Sequence, residues 1–193
     1  MRKLFIFISL LMVMASCGDV KVLTPGDLAG LWDKGKATGP FGDMAMSILF
    51  EPNEQDSTSG EFVVFYNGTC FDSDNGVDFA IHYTVADNGT YTIDGTELTL
   101  NYLPDSVGVD IDEKEIGLHA TAKANHGDNR DIEEITEEFG NQIYGYIGTT
   151  FQEHFTKLNT ENANRYRTTM KNRTLSLRTI GKTDRVNLLR SDE

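Results

Sequence analysis

Apolar and polar residues alternate through most of this chain. Residues 77–85 place an apolar side chain at every second position, and residues 44–50, 91–102 and 107–111 follow the same period. Successive side chains of a β-strand point to opposite faces of a sheet, so this period indicates antiparallel strands with one buried and one solvated face. The alternation therefore restricts the chain to a mainly β architecture.

Turn residues support this interpretation. Four Asn-Gly or Asp-Gly pairs lie between or beside the alternating segments: Asn67-Gly68, Asn75-Gly76, Asn88-Gly89 and Asp94-Gly95. These pairs tolerate the positive φ angles of tight hairpin turns. We therefore predict a meander of short hairpins.

One late segment changes period. Between residues 131 and 158 the apolar residues are three or four apart, which predicts one helix, or two helices joined near residues 145–148. The glycines of this segment each weaken a helix by about 1 kcal/mol, so its apolar stripe must pack on the sheet. Alternation returns after residue 165, and at least two further strands are expected.

The N-terminus carries a targeting pattern. Arg2 and Lys3 precede an apolar run that is too short to span a bilayer, and Met14-Ala15-Ser16-Cys17 follows it. This arrangement resembles a bacterial lipoprotein signal with its lipobox. The resemblance implies that residues 1–16 are a signal peptide, that Cys17 becomes acylated, and that residues 17–27 are a tether to the membrane.

The resemblance also predicts a location. Only one acid, Asp19, lies in the four residues after Cys17. This favours a lipid-anchored outer-membrane protein of the cell envelope that faces the periplasm.

Charge excludes some partners. The formal net charge is −13. A surface this acidic repels nucleic acid and anionic lipid headgroups, so neither is expected as a partner. The acids concentrate in residues 51–138 and the bases in residues 157–190, and a closed fold would bring these two segments side by side.

The single tryptophan suggests a family. Gly30-Leu31-Trp32 opens the first strand region, and Arg190 ends the last one, with Arg185 as the alternative. An early Gly-x-Trp, a meander of short strands and a final Arg together resemble the lipocalin-like, or calycin, barrels. The resemblance implies a single domain over residues 28–190, with Trp32 and Arg190 stacked at one barrel end. Because at least two strands follow the helix here, an open β-sandwich with the helix over one edge is the alternative.

Known catalytic and metal-binding patterns are not found. The four histidines lack paired metal-ligand spacing, and no Gly-x-Ser-x-Gly or phosphate-binding loop occurs. Cys70 has no cysteine partner if Cys17 is lipidated, and Cys70 with His82 is the one thiol–imidazole pair to consider. A buried Cys70 and a surface His82 are the expected roles. We therefore expect no metal, no cofactor and no enzymatic activity.

Three functions are compatible with these sequence features. The first is binding of a small hydrophobic or lipid-like ligand inside a barrel. The second is a structural or protein-interaction role in the envelope, with a filled core and no ligand. A hydrolase that uses Cys70 is the third. The sequence does not determine the oligomeric state.

Cys17→Ser removes the thiol on which the lipid would be carried. We expect the wild-type chain to incorporate radiolabelled palmitate and to fractionate with the outer membrane. The Cys17→Ser variant should be unlabelled and soluble, because it has lost its acyl chains. Cys70→Ser is the matched control and should keep the label. An unlabelled wild-type chain would contradict the anchor.

Overall fold

Strands and helices follow one another through residues 22–191, which are the residues that the computed structural model describes. The strands are β1 (Gly30–Gly39), β2 (Gly42–Pro52), β3 (Ser59–Asp74), β4 (Val77–Asp94), β5 (Glu97–Tyr102), β6 (Gly108–Ile111), β7 (Arg165–Lys171), β8 (Thr174–Thr179) and β9 (Arg185–Arg190). The helices are α1 (Pro25–Leu28), α2 (Glu113–Asn125) and α3 (Ile132–Thr160). Cys17 and the predicted signal peptide, residues 1–16, lie outside the described residues.

The sheet closes on itself. Its strand order is β3-β2-β1-β9-β8-β7-β5-β4, and pairing of β3 with β4 completes a ring of eight antiparallel strands. Strand β6 pairs with β4 at residues 83–86, alongside the ring. The prediction of a mainly β, antiparallel barrel with one long helix late in the chain is confirmed, and the open sandwich is wrong.

Two of the four predicted turns are wrong. Asn75-Gly76 joins β3 to β4, and Asp94-Gly95 lies at the turn between β4 and β5. Asn67-Gly68 and Asn88-Gly89 instead lie inside β3 and β4. A Cβ atom at Gly68 would collide with the Tyr83 ring, and one at Gly89 would collide with the Asn101 carbonyl. These glycines therefore permit close packing within two long strands.

Helix α3 is one continuous helix of 29 residues. Asp131 caps it, because its side chain accepts a hydrogen bond from the Glu133 amide. Its buried face packs on the barrel through Phe151 and Phe155, both of which are fully buried. The ring of Phe155 stacks on Tyr102 at 4.9 Å between centroids. The helix therefore covers one end of the barrel.

Helix α2 was not predicted. Its buried face includes Ile116 and Ala120, but also His119 and Lys123, so its sequence lacks a clear apolar stripe. Lys123 donates to Asp74 at 2.6 Å, which attaches α2 to the end of the β3–β4 hairpin. The ion pair thus joins distant parts of the chain and adds to the packing of Ile116 in the core and of His119 against Phe139.

In the part of the chain that the structure describes, none of the helices combines the length and apolar character needed to cross a bilayer.

Phe155→Ala should destabilise the fold by about 3–5 kcal/mol, because it leaves a cavity where α3 meets the barrel. Urea unfolding followed by circular dichroism measures the change. Tyr146→Ala is the control, since Tyr146 lies on the same helix with 49% of its surface exposed, and it should cost about 1 kcal/mol or less. Equal losses for the two variants would contradict the role of α3 as a packed end cover.

Candidate functional site

One barrel end is closed around Trp32, and we call it the tryptophan end. The Trp32 indole is fully buried, and its Nε1 donates to the Leu28 carbonyl at 2.6 Å. Arg190 is the cross-strand partner of Trp32, and its guanidinium carbon lies 5.4 Å from the indole centroid. The same guanidinium donates to the Ala29 carbonyl, while Gly30 has a φ of 101°. Gly30, Trp32 and Arg190 thus lie together where α1 seals the barrel.

The alternative arginine lies elsewhere. Arg185 is at the start of β9 and pairs with Arg178 of β8, far along the strand from Trp32. It is exposed. Arg185 therefore belongs to the opposite end of the barrel.

Side chains fill the interior near the tryptophan end. Phe50, Phe62 and Tyr91 are each at most 1% exposed. The rings of Phe50 and Tyr91 meet edge to face at 5.2 Å. This aromatic packing occupies the space that a ligand would need in this half of the barrel.

A cavity of about 330 Å³ lies at the opposite end, which we call the α3 end. It opens between the C-terminal half of α3 and strands β1, β8 and β9. Its aliphatic lining residues are Ala37, Met46, Leu158, Ala163, Leu177 and Val186. Lys36, Lys182, Asp184 and Arg185 add charged groups to its lining. The sequence did not predict this cavity, because its lining residues are spread along the chain from residue 36 to residue 186.

Two tyrosines face the cavity from inside the barrel. Tyr66 and Tyr166 line it, and both are buried. Burial raises the pKa of each phenol, and the neighbouring Tyr102 also has a raised pKa for the same reason. These phenols stay protonated at neutral pH, so the cavity floor can offer neutral hydroxyl donors to a ligand.

A buried carboxyl lies deeper in the barrel. Asp87 is 1% exposed, and its Oδ1 accepts a hydrogen bond from the Ser106 hydroxyl at 2.5 Å. Its Oδ2 has no hydrogen-bond partner among the described residues. Burial raises the pKa of Asp87 to about 6, against the hydrogen bond from Ser106, which lowers it. The alternation in β4 indicates that Asp87 faces inward, because Asp87 lies two residues after the inward-facing Val85.

Cys70 and His82 do not meet. Cys70 is buried and pairs with Ile81, whereas His82 pairs with Thr69 on the neighbouring register position. Adjacent positions of a strand face opposite sides of the sheet. The His82 ring lies on the outside, with Nδ1 2.5 Å from Glu115. Burial raises the pKa of the Cys70 thiol, which reduces its nucleophilicity.

The other histidines are also apart. His119 is buried against Phe139 and approaches Asp74 at 3.4 Å, and His154 lines the cavity at the α3 end. Burial lowers the pKa of both. Within residues 22–191, no cluster of three or more His, Cys, Asp or Glu side chains could hold a metal ion.

Comparison of the chain with protein-family models, with curated proteins and with solved structures gives no match.

Asp87→Asn should stabilise the protein increasingly as pH rises. The Asp87 carboxyl has a pKa of about 6 when folded and an ordinary value of 3.8. Between these values the folded state holds the proton more tightly, so wild-type stability falls as pH increases. The variant has no carboxyl to ionise, so its free energy of unfolding should not fall in this way. The difference in free energy of unfolding between the variant and wild type should grow by at most about 3 kcal/mol between about pH 4 and pH 7. Urea unfolding at both pH values gives the difference.

Ser106→Ala is the companion variant. It removes the hydrogen bond that favours the ionised carboxylate, so its destabilisation should be larger at neutral pH than in acid. If both variants differed from wild type equally at the two pH values, Asp87 would not titrate in this window.

Proposed function

We propose that this protein is a lipid-anchored protein of the cell envelope whose barrel binds a small hydrophobic or lipid-like molecule at the α3 end. The cavity of about 330 Å³ carries this proposal. Its size is at the lower end of the range for small-molecule sites, about 300–1,000 Å³. A single ligand of modest length is therefore proposed.

The lining supports a ligand with an apolar body. Met46, Leu177 and Val186 supply a wall from three strands, and Leu158 supplies the facing wall from α3. Burying an acyl chain against this wall gains about 25 cal/mol for each Å² removed from water. The Tyr66 and Tyr166 hydroxyls offer hydrogen bonds at the floor.

The position of α1 supports an orientation. The described chain begins at residue 22, next to α1 at the tryptophan end, and the cavity lies at the other end of the barrel. An acyl group on Cys17 would hold the tryptophan end toward the membrane. The cavity would then open away from the bilayer, and a ligand would enter from the aqueous side or from another envelope protein.

We propose binding without chemistry. The thiol and the imidazole that were considered as a pair lie on opposite faces of the sheet, and Asp87 is shielded by Ser106. The proposal includes no metal, no cofactor and no nucleic acid.

A structural role is the second candidate. The full burial of Trp32, Phe50 and Tyr91 favours it, because half of the barrel interior has no room for a ligand. In that case the cavity would hold only water, and the partner would be another envelope protein.

Ala37→Phe separates the two candidates. Ala37 lies in the cavity wall, so a larger ring there would occupy the space of the ligand. Native mass spectrometry of detergent-free protein should show a bound small molecule in wild type. A fluorescent fatty acid should bind wild type and bind Ala37→Phe about tenfold or more weakly, since filling the cavity removes apolar contact area.

Ala45→Phe is the matched control. Ala45 is exposed on neighbouring strand β2, and it is the register partner of Lys36. This variant should bind like wild type, and thermal unfolding checks that both variants fold. A clean apo mass together with no probe binding to wild type would support the structural role instead.

A further inference from the structure

Three arginines lie side by side on the outside of the barrel. Arg167 of β7 pairs with Arg178 of β8, and Arg178 pairs with Arg185 of β9. All three side chains are exposed. Directly opposite residues of antiparallel strands have Cβ atoms about 5 Å apart, and like charges in this position are destabilising. We call Arg167, Arg178 and Arg185 the arginine row.

No carboxylate of the described residues forms an ion pair with the row. Glu97 is the register partner of Arg167, but its side chain pairs with Arg165 at 2.8 Å. The Arg178 Nε donates to the Lys182 carbonyl, a neutral group. Asp184 lies in the adjacent turn without forming an ion pair with any residue of the described part. Since the chain as a whole carries a net charge of −13, this unpaired concentration of positive charge runs against its overall composition.

The arginine row reaches the cavity at the α3 end. Arg185 lines that cavity, and so does Lys182 from the turn that follows β8. Thr179 and Val186, the chain neighbours of Arg178 and Arg185, line it as well. A ligand whose apolar part fills the cavity would therefore emerge beside the row.

We propose that the arginine row, with Lys182, binds the phosphate head group of an amphipathic lipid whose acyl chain lies in the cavity. This inference rests on the proposed function and specifies its ligand class. A phosphate monoester has three terminal oxygens and more than one negative charge, and guanidinium groups bind such oxygens in a bidentate manner. Guanidinium groups on adjacent strands can share one phosphate, which relieves their mutual repulsion.

The geometry disfavours a bilayer surface as the occupant of the row. Arg178 and Arg185 of the row lie toward the α3 end, whereas α1 lies at the tryptophan end. A lipid anchored through Cys17 would therefore hold the row away from the membrane. A single lipid with its acyl chain in the cavity and its head group at the arginine row fits both sites.

Isothermal titration calorimetry tests the inference on the full chain with Cys17→Ser, which carries no acyl groups of its own. The probes are lauroyl lysophosphatidic acid, monolaurin with the same acyl chain and no phosphate, and glycerol 3-phosphate with no acyl chain. We expect lysophosphatidic acid to bind about tenfold more tightly than monolaurin, because the charge contacts are exposed and individually weak. High ionic strength should narrow this difference.

The double variant Arg178→Gln/Arg185→Gln should abolish the preference for the phosphorylated lipid. Lys114→Gln/Lys171→Gln is the matched control, since it removes the same charge from exposed positions outside the cavity lining, and it should keep the preference. Thermal unfolding confirms that each variant folds.

The other outcomes distinguish the inference from the function on which it rests. Equal affinity for lysophosphatidic acid and monolaurin, or a preference that survives the double variant, would overturn the head-group site and leave lipid binding intact. If glycerol 3-phosphate bound as tightly as lysophosphatidic acid, the row would be a site for free phosphate esters, and the proposal of a lipid head group would be wrong. No binding of either amphiphile would overturn the proposed function itself.

Discussion

Closure of eight antiparallel strands into a ring governs the rest of this structure. Closure satisfies the hydrogen bonds that an open sheet leaves at its edges, and it also creates an interior that must be filled. The long β3–β4 pairing completes the ring. Each inward residue then faces the same central space, so packing in one strand limits the side chains of all the others.

The two barrel ends fill that interior in different ways. At the tryptophan end, α1 and Arg190 cover Trp32, and aromatic side chains occupy the space beneath it. At the other end, α3 packs Phe151 against Tyr83 and Phe155 against Tyr66. The cavity lies beside His154 and Leu158 of α3. The two ends of the barrel therefore differ because α1 and Arg190 close one end and α3 closes the other.

Charged side chains lower the local stability of the fold at two positions. Asp87 lies in the interior, where burial disfavours its ionised form. The arginine row lies outside, where like charges face one another across three strands. Both positions are next to elements of the α3 end: Ser106 lies in the turn that contacts α3, and Arg185 lines the cavity. Such local costs are concentrated where proteins bind ligands more often than elsewhere.

Periodicity along the chain was enough to predict the elements in which it is strong. Alternation identified β2, the first half of β4, β5 and β6, and steps of three and four identified α3. Strand β3 was not identified, and β4 was predicted as two segments on either side of Asn88-Gly89. Gly30 and Trp32 were placed at the start of the strand region and Arg190 at its end. The tertiary structure decided the remaining features. Asn67-Gly68 and Asn88-Gly89 lie within strands, and α2 packs on the barrel and α3 with Lys123 paired to Asp74. The cavity and the arginine row were likewise not predictable from the sequence. Periodicity shows only which face of a single strand or helix is apolar. Strand register, barrel closure and charge pairing depend on residues that are far apart in the chain, so the sequence pattern alone does not determine them.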